Sequence, residues 1–249
     1  MATKSLDLEL SSGQYAYRAD TASLSITGDI SVEAWIKLEQ LPGTAGTQFT
    51  IVAKWTNPST SSYTFLIPVA NKLSFYFERT DGEYSQFTLD AANAFVAGDV
   101  GVWHHVAVAV DVSVPSATFW IDGVEKSDTA ASTTATSIAD RNDAFVIGAR
   151  HGGTPDNYFD GLIKNVKVWN DIRTAQEISD NMCVELVGNE AGLAGSWNLD
   201  DNYLDQTAND NDLTASGSPV FSTDIPSCLA PAAGPSIVGW KSLLGVGQG

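Results

Sequence analysis

The sequence VWHHVAVAVD at residues 102–111 places a tryptophan and two adjacent histidines at the start of an alternating apolar run. Alternation with a period of two indicates a β-strand, because successive side chains point to opposite faces of a sheet. A second run, ISVEAWIKL at residues 30–38, puts Ile30, Val32 and Ala34 on one face and polar residues on the other. Both segments are typical of strands that bury one face.

Further short runs of the same kind follow one another along the chain, separated by clusters of Gly, Pro, Asn, Asp and Ser. They read QFTIVAKW, SYTFLIPVA, KLSFYFER, SQFTLDA, ATFWIDG, AFVIGAR and GLIKNVKVW. Ten or more short strands in one chain predict an all-β sandwich or barrel.

Two local signals interrupt this pattern. Asp122-Gly123 accepts the positive φ angles of a two-residue type I′ turn and predicts a tight hairpin. Thr174 and Glu177 have the spacing of a capping box and predict one short helix, from about Ala175 to Met182.

The charge balance restricts the partners. The 249 residues include 13 basic and 30 acidic side chains, for a formal net charge of −17. This field repels phosphate backbones and anionic membrane surfaces, so we expect no nucleic acid partner, and no apolar stretch is long enough to insert in a membrane. Cys183 and Cys228 leave two alternatives, a disulfide or two buried thiols.

Six motifs in a fixed order resemble the LamG-like jelly-roll family, which is pentraxin-like and laminin G-like and belongs to the concanavalin A-like lectin/glucanase superfamily. They are SLDLELSSGQYAYR, LSITGDISVEAWIKLE, GVWHHVAVAVD, ATFWIDGVEK, FVIGAR with YFDGLIKNVKVWNDIRTAQEI, and LAGSWNLDDNYLDQTANDNDLTASG, within residues 4–223. The resemblance implies an antiparallel jelly-roll β-sandwich with recognition of carbohydrate, protein or calcium on the rim loops or the concave face. It also implies that Trp103 covers a sandwich edge, while His104 and His105 are structural and point to opposite faces.

Catalysis is not expected. Glucanases of this superfamily align carboxylates on one strand face around the glycosidic bond. Asp7 and Glu9 alternate on one strand, but the sequence indicates no third partner for them, and it contains no Glu-x-Asp-x-x-Glu run. A glycoside hydrolase is therefore the weakest of the alternatives.

Calcium is a possible cofactor at one segment, DQTANDND at residues 205–212. Its alternate positions could present oxygens to one hard cation. The candidate ligands are Asp205, Thr207, Asn209 and Asn211. Alternatively, these side chains form Asx turns with their own backbone.

Sugar binding requires an aromatic platform beside amide and carboxylate groups. Three loops offer this combination, although each aromatic residue could instead close one end of the sandwich. The candidates are Trp55, Asn57 and Tyr63 in the first loop, Arg79, Asp81 and Tyr84 in the second, and His151, Asp156, Asn157 and Tyr158 in the third. Four tryptophans inside strand motifs are expected to be structural, namely Trp35, Trp120, Trp169 and Trp197.

The chain ends suggest a role in an assembly. Residues 1–229 are predicted to form the jelly-roll domain and residues 230–249 a Pro/Gly/Ala-rich linker with an apolar tail. Ile237, Trp240 and Leu244 recur at i, i+3 and i+7, so a short helix could anchor them in a neighbouring subunit, or a strand could extend a sheet edge. No signal peptide is evident. We therefore expect a lectin-like surface module, extracellular or on a phage virion; the alternative is a stand-alone, calcium-assisted lectin or adhesin.

Overall fold

The fold is built from sixteen strands in the computed structural model, which describes residues 2–56, 61–129, 137–151 and 154–231. The strands are β1 Ser5–Leu8, β2 Tyr15–Arg18, β3 Ile30–Leu38, β4 Phe49–Trp55, β5 Ser61–Ile67, β6 Ser74–Glu78, β7 Tyr84–Leu89, β8 Trp103–Asp111, β9 Ser116–Ile121, β10 Val124–Lys126, β11 Asp128–Thr129, β12 Phe145–Ile147, β13 Gly161–Trp169, β14 Leu193–Trp197, β15 Thr214–Ser216 and β16 Val220–Ser222. The predicted Asn57, Ile237, Trp240 and Leu244 lie outside the described residues.

Two antiparallel sheets pack face to face. Sheet 1 has the order β10-β9-β8-β3-β13-β1-β16, with β14 also paired to β13. Sheet 2 has the order β11-β7-β6-β5-β4-β12-β2-β15. The facing side chains form one apolar core, in which Val32 and Val108 of sheet 1 join Phe65 and Phe75 of sheet 2. The predicted all-β jelly-roll sandwich is confirmed.

Both local predictions are confirmed. Asp122 and Gly123 have φ angles of 53° and 73° in the turn between β9 and β10. Helix α2 covers Ala175–Asn181; the hydroxyl of Thr174 accepts from the Glu177 N–H at 3.3 Å, and the Glu177 carboxylate accepts from the Thr174 N–H at 2.8 Å.

The structure also contains helical turns that the sequence reading did not predict. A one-turn helix, α1, covers Pro42–Ala45, and proline at its first position is already held at a helical φ angle. Short 3-10 turns lie at Leu10–Ser12, Ala22–Leu24, Ala91–Asn93 and Ala97–Asp99. Among the described residues, none of the helices has the length and apolar composition needed to span a membrane.

The four strand tryptophans are structural, as predicted. Trp120 is buried in a cluster with Ile178 of α2. Trp197 stacks on Phe145 with ring centroids 4.7 Å apart. Trp35 and Trp169 are buried on the outer face of sheet 1, which α2 and the segment after it cover.

The two histidines face opposite ways, as predicted. His104 lies toward the sandwich edge, where its Nδ1 is 2.8 Å from the Asp122 carboxylate. His105 lies on the outer face of sheet 1, where its Nε2 is 2.9 Å from the Glu33 carboxylate. Trp103 donates its indole N–H to Asp224 at 2.8 Å at the same end of the strand. The adjacent histidines therefore belong to two separate structural networks.

Glu33 is the centre of a buried ionic cluster. It also accepts from the Trp169 indole at 3.1 Å, and its carboxylate lies 3.6 Å from the Lys167 ammonium group. Burial alone would raise the pKa of Glu33, but Lys167, His105 and Trp169 outweigh it and hold the pKa below its usual value. Burial lowers the pKa of Lys167, an effect that Glu33 partly offsets.

The two cysteines form a disulfide, which resolves the alternatives left by the sequence. Cys183 follows α2 and Cys228 lies close to the end of the described chain, 45 residues later. The bond ties two segments together beside Trp35 and Leu229, which pack in the same cluster. It therefore fastens the layer that covers sheet 1.

Candidate functional site

A cavity of about 290 Å³ opens on the outer face of sheet 2. The inward residues of β4 to β7 are core residues such as Phe65 and Phe75, so the alternate residues of these strands point away from the core. The cavity is lined by Gln48, Thr50, Trp55, Thr64, Leu66, Tyr76, Tyr84, Gln86, Arg150 and Asn157.

Three aromatic rings form one wall. The Trp55 ring centroid lies 5.3 Å from that of Tyr84 at an interplanar angle of 39°, and 6.5 Å from that of Tyr76 at 64°. Tyr84 is 36% exposed, whereas Trp55 is buried beneath its neighbours. Burial raises the pKa of Tyr76, so its hydroxyl keeps its proton at neutral pH. The wall thus combines apolar faces with hydroxyl groups.

Amides and one arginine supply the polar groups. Gln48, Gln86 and Asn157 each contribute a carboxamide, which can both donate and accept hydrogen bonds. Arg150 is held in place by Asp156, which accepts from its Nε at 2.7 Å and also from its Nη2. Backbone hydrogen bonds of 2.9 and 3.0 Å join the same two residues. Among the described residues that line the cavity there is no carboxylate, despite the acidity of the chain.

The structure brings together part of the predicted sugar-binding set. Trp55, Tyr84 and Asn157 line the cavity, and Asp156 positions Arg150 beside them. Asp81 lies in the turn between β6 and β7, where it pairs with Arg79 and accepts from the Glu83 N–H at 3.1 Å.

His151 and Tyr158 belong to a second aromatic cluster, outside the cavity. His151 stacks on Tyr17 with centroids 5.6 Å apart, and Tyr158 lies 6.2 Å from Tyr15. The Tyr158 hydroxyl donates to the Pro155 carbonyl at 2.9 Å.

Tyr63 is a correction. It is 0% exposed in the core and donates its hydroxyl to the Leu24 carbonyl at 3.0 Å, so it does not line the cavity. Tyr63 alternates with Phe65 and Ile67 on β5, and that period already indicated an inward side chain.

The sequence matches the Laminin_G_3 family, described as concanavalin A-like lectin/glucanases superfamily, over residues 10–179. This match covers more than half of the chain. The protein belongs to the concanavalin A-like lectin/glucanases superfamily. Its sequence has no match among curated proteins.

One solved structure shares this fold at low sequence identity, and a second resembles it less closely. A candidate carbohydrate binding protein from Bacteroides ovatus matches with a TM-score of 0.66 and 16% identity, over 89% of this chain and 60% of its own. The botulinum neurotoxin type G receptor binding domain matches with a TM-score of 0.46 and 14% identity, over 62% of this chain and 38% of its own. This chain therefore spans less than two thirds of either protein.

Most of the cavity lining was missed by the sequence analysis, which searched loops for binding residues. The missed residues are Gln48, Thr50, Thr64, Leu66, Tyr76, Gln86 and Arg150. The available signal was the outward position of Thr64, Tyr76 and Gln86 within alternating strands. Their strand neighbours indicated which face they occupy, but not that they meet Arg150.

The four predicted calcium ligands have other partners, which favours the alternative of Asx turns. The Asp205 carboxylate accepts from the backbone N–H groups of Ser196, Thr207 and Asn211 at 3.0 Å each. The Asn209 amide donates to the Ala194 carbonyl at 3.0 Å. Asn211 is fully buried. These hydrogen bonds stabilise the loop after β14, and calcium binding by the four side chains stays a prediction.

Asp7 and Glu9 have a third partner, contrary to the sequence analysis. The end of β3 brings Glu39 to them, so that one carboxylate oxygen of each lies within 4.8 Å of the others. Burial, reinforced by Asp160, raises the pKa of Asp7; burial, reinforced by Glu9 and Asp7, raises that of Glu39. The trio does not line the cavity on sheet 2, so it does not provide the acid and nucleophile of a glucanase site there.

Proposed function

We propose that this superfamily member is a non-catalytic glycan-binding module and that the cavity on sheet 2 holds a sugar unit. One observation carries the proposal: Trp55, Tyr76 and Tyr84 meet three carboxamides in a single cavity. The apolar C–H face of a pyranose can pack on such rings, while its hydroxyls exchange hydrogen bonds with the amides. Sugar recognition needs both contributions at once.

The volume and charge of the cavity support a small, neutral ligand. The cavity volume of about 290 Å³ lies just below the range typical of ligand pockets, roughly 300–1,000 Å³. Arg150, the one charged residue among the described residues of the lining, is paired with Asp156. A neutral sugar therefore meets no unpaired charge there.

The test is a glycan array followed by calorimetry on the glycans that bind. Tyr76→Ala and Gln86→Ala should each weaken binding, with a loss of roughly 1–2 kcal/mol, or about tenfold, for the aromatic variant. Tyr17→Ala is the matched control, because it removes a tyrosine from the same sheet face outside the cavity. Equal effects of Tyr76→Ala and Tyr17→Ala, or binding to no glycan, would refute the proposal.

Calcium and catalysis are tested in the same samples. We propose that binding is unchanged by EDTA, because the lining residues that the structure describes offer no carboxylate to a cation. Loss of binding with EDTA would favour the calcium-assisted lectin instead. Release of reducing sugar from bound oligosaccharides would overturn the non-catalytic assignment.

We further propose that the module acts outside a cell as part of a larger assembly, such as a phage virion. The support is the composition of residues 230–249, with Ile237, Trp240 and Leu244 as anchoring residues. Deleting residues 235–249 should leave glycan binding intact and remove the module from the assembled particle. Unchanged particle mass after the deletion would contradict this role.

A further inference from the structure

One row of residues crosses sheet 2 at a single register. Pairing joins Gln86 to Tyr76, Tyr76 to Thr64, Thr64 to Ala53, Ala53 to Val146 and Val146 to Tyr17. Directly paired residues point to the same face, and Tyr76 and Thr64 line the cavity, so the whole row lies on the outer face. An open groove across the strands would leave this row accessible from β7 to β2.

The row is interrupted in the middle. Gln86, Tyr76 and Thr64 line the cavity, but Ala53 and Val146 are both 0% exposed. Val146 is covered by the second aromatic cluster, in which it packs with Tyr15 and Tyr17. The cavity therefore does not continue to β2.

The loop between β12 and β13 forms the barrier. Arg150 and Asp156 are bridged in an antiparallel pair at its base, and their side chains form a two-bond ion pair at the cavity wall. His151, next along the chain, stacks on Tyr17 beyond them. On the opposite side, Tyr84 and Gln86 of β7 are exposed, so none of the described residues closes the cavity toward that edge.

We infer that the cavity binds the terminal sugar of a glycan chain, not an internal unit. This inference rests on the proposed glycan function. The chain enters from the β7 side, and its last unit lies between the aromatic wall and the ion pair of Arg150 and Asp156. An internal unit needs a second exit for the next sugar, and the barrier closes that side.

The chemistry of the closed end fits a chain terminus. A terminal unit carries a free hydroxyl at the position where an internal unit carries its next glycosidic bond. Arg150 and Asn157 line the cavity beside the barrier and can hydrogen-bond that hydroxyl. Adding one sugar there removes the hydroxyl donor and also creates a steric clash, so both effects select against a capped chain.

The test uses a printed glycan array attached through the reducing ends, containing pairs of chains with and without one added terminal sugar. We expect binding to one member of a pair and a loss of more than about tenfold on capping. For free oligosaccharides of the bound series, the Kd should stay constant as the chain lengthens behind the same terminal unit.

A variant of the barrier completes the test. Arg150→Ala removes the ion pair and should bring the ratio of capped to uncapped binding close to one. Arg173→Ala is the control, because Arg173 pairs with Asp171 and Glu177 beside sheet 1, away from the cavity, and should leave the ratio unchanged. An affinity that does not change on capping, or that rises with chain length, would overturn this inference and leave the proposed glycan function standing. Binding to no glycan would overturn both.

Discussion

Glu33→Gln is expected to destabilise the protein strongly, because it removes the one carboxylate from the ion pair with buried Lys167. Glu33 and Lys167 are 1% and 0% exposed, and their charged groups lie 3.6 Å apart. Glutamine has nearly the same volume and still offers an oxygen to Trp169, so packing changes little. Breaking a buried pair by removing one partner costs about 3–5 kcal/mol. We expect a loss of unfolding free energy at the lower end of this range, about 3 kcal/mol. The reason is that the Lys167 ammonium group keeps its hydrogen bond of 2.7 Å to the Asn181 carbonyl.

The free energy of unfolding, measured by urea denaturation followed by circular dichroism, checks this value. Glu125→Gln is the matched control, because Glu125 is exposed on β10 of the same sheet; its effect should lie within about 0.5 kcal/mol. Adding Lys167→Met to Glu33→Gln should recover part of the loss, since the unpaired charge is then removed as well. The reasoning fails if Glu33→Gln costs less than about 1 kcal/mol, or if the double variant is no more stable than the single one.

The same reasoning gives three further predictions. Replacing Cys183 and Cys228 with serine opens a loop of 45 residues and should cost about 4 kcal/mol of unfolding free energy, measured by urea denaturation. The hydrogen bond to Asp122 raises the pKa of His104 in the folded protein. Protonated His104 therefore stabilises the fold fully at pH values below its pKa in the unfolded chain, and this stabilisation is lost as the pH rises through its pKa in the folded protein. His104→Gln should therefore lower the melting temperature more at about pH 5.5 than at about pH 8.5. Burial and neighbouring carboxylates raise the pKa of Glu39, so its ionised form opposes folding; Glu39→Gln should stabilise the protein by roughly 0.3 kcal/mol at neutral pH and by less in acid.

Each of these predictions has an outcome that would contradict it. Stability unchanged by the serine replacements would show that the disulfide does not constrain the unfolded chain. If His104→Gln lowers the melting temperature equally at both pH values, the charge of His104 does not stabilise the fold. Destabilisation by Glu39→Gln at neutral pH would mean that the carboxylate trio is held together by favourable contacts.

Much of the fold followed from the sequence. Alternation of Ile30, Val32 and Ala34 predicted both a strand and its buried face, because a strand has only two faces and one of them must pack. The Asp122-Gly123 turn and the box formed by Thr174 and Glu177 depend on neighbours within four residues, so they could be read without knowing the rest of the molecule.

The functional surface was only partly predictable. Trp55 and Tyr84 were identified by residue type, yet Tyr76 and Gln86, in the same cavity, were not. Tyr63 was misplaced because its residue type was given more weight than its inward position on β5. Choosing candidates by loop composition overlooked the strand faces.

The tertiary structure alone decided which side chains meet. Strand β12 inserts between β4 and β2, segments that lie far from it along the chain, and this pairing brings Arg150 to the aromatic wall and closes the cavity beside Ala53. In the same way, the end of β3 brings Glu39 to Asp7. A period of two determines the face on which each side chain lies. Which strands pair with one another depends on the free energy of the complete sandwich, to which every segment contributes.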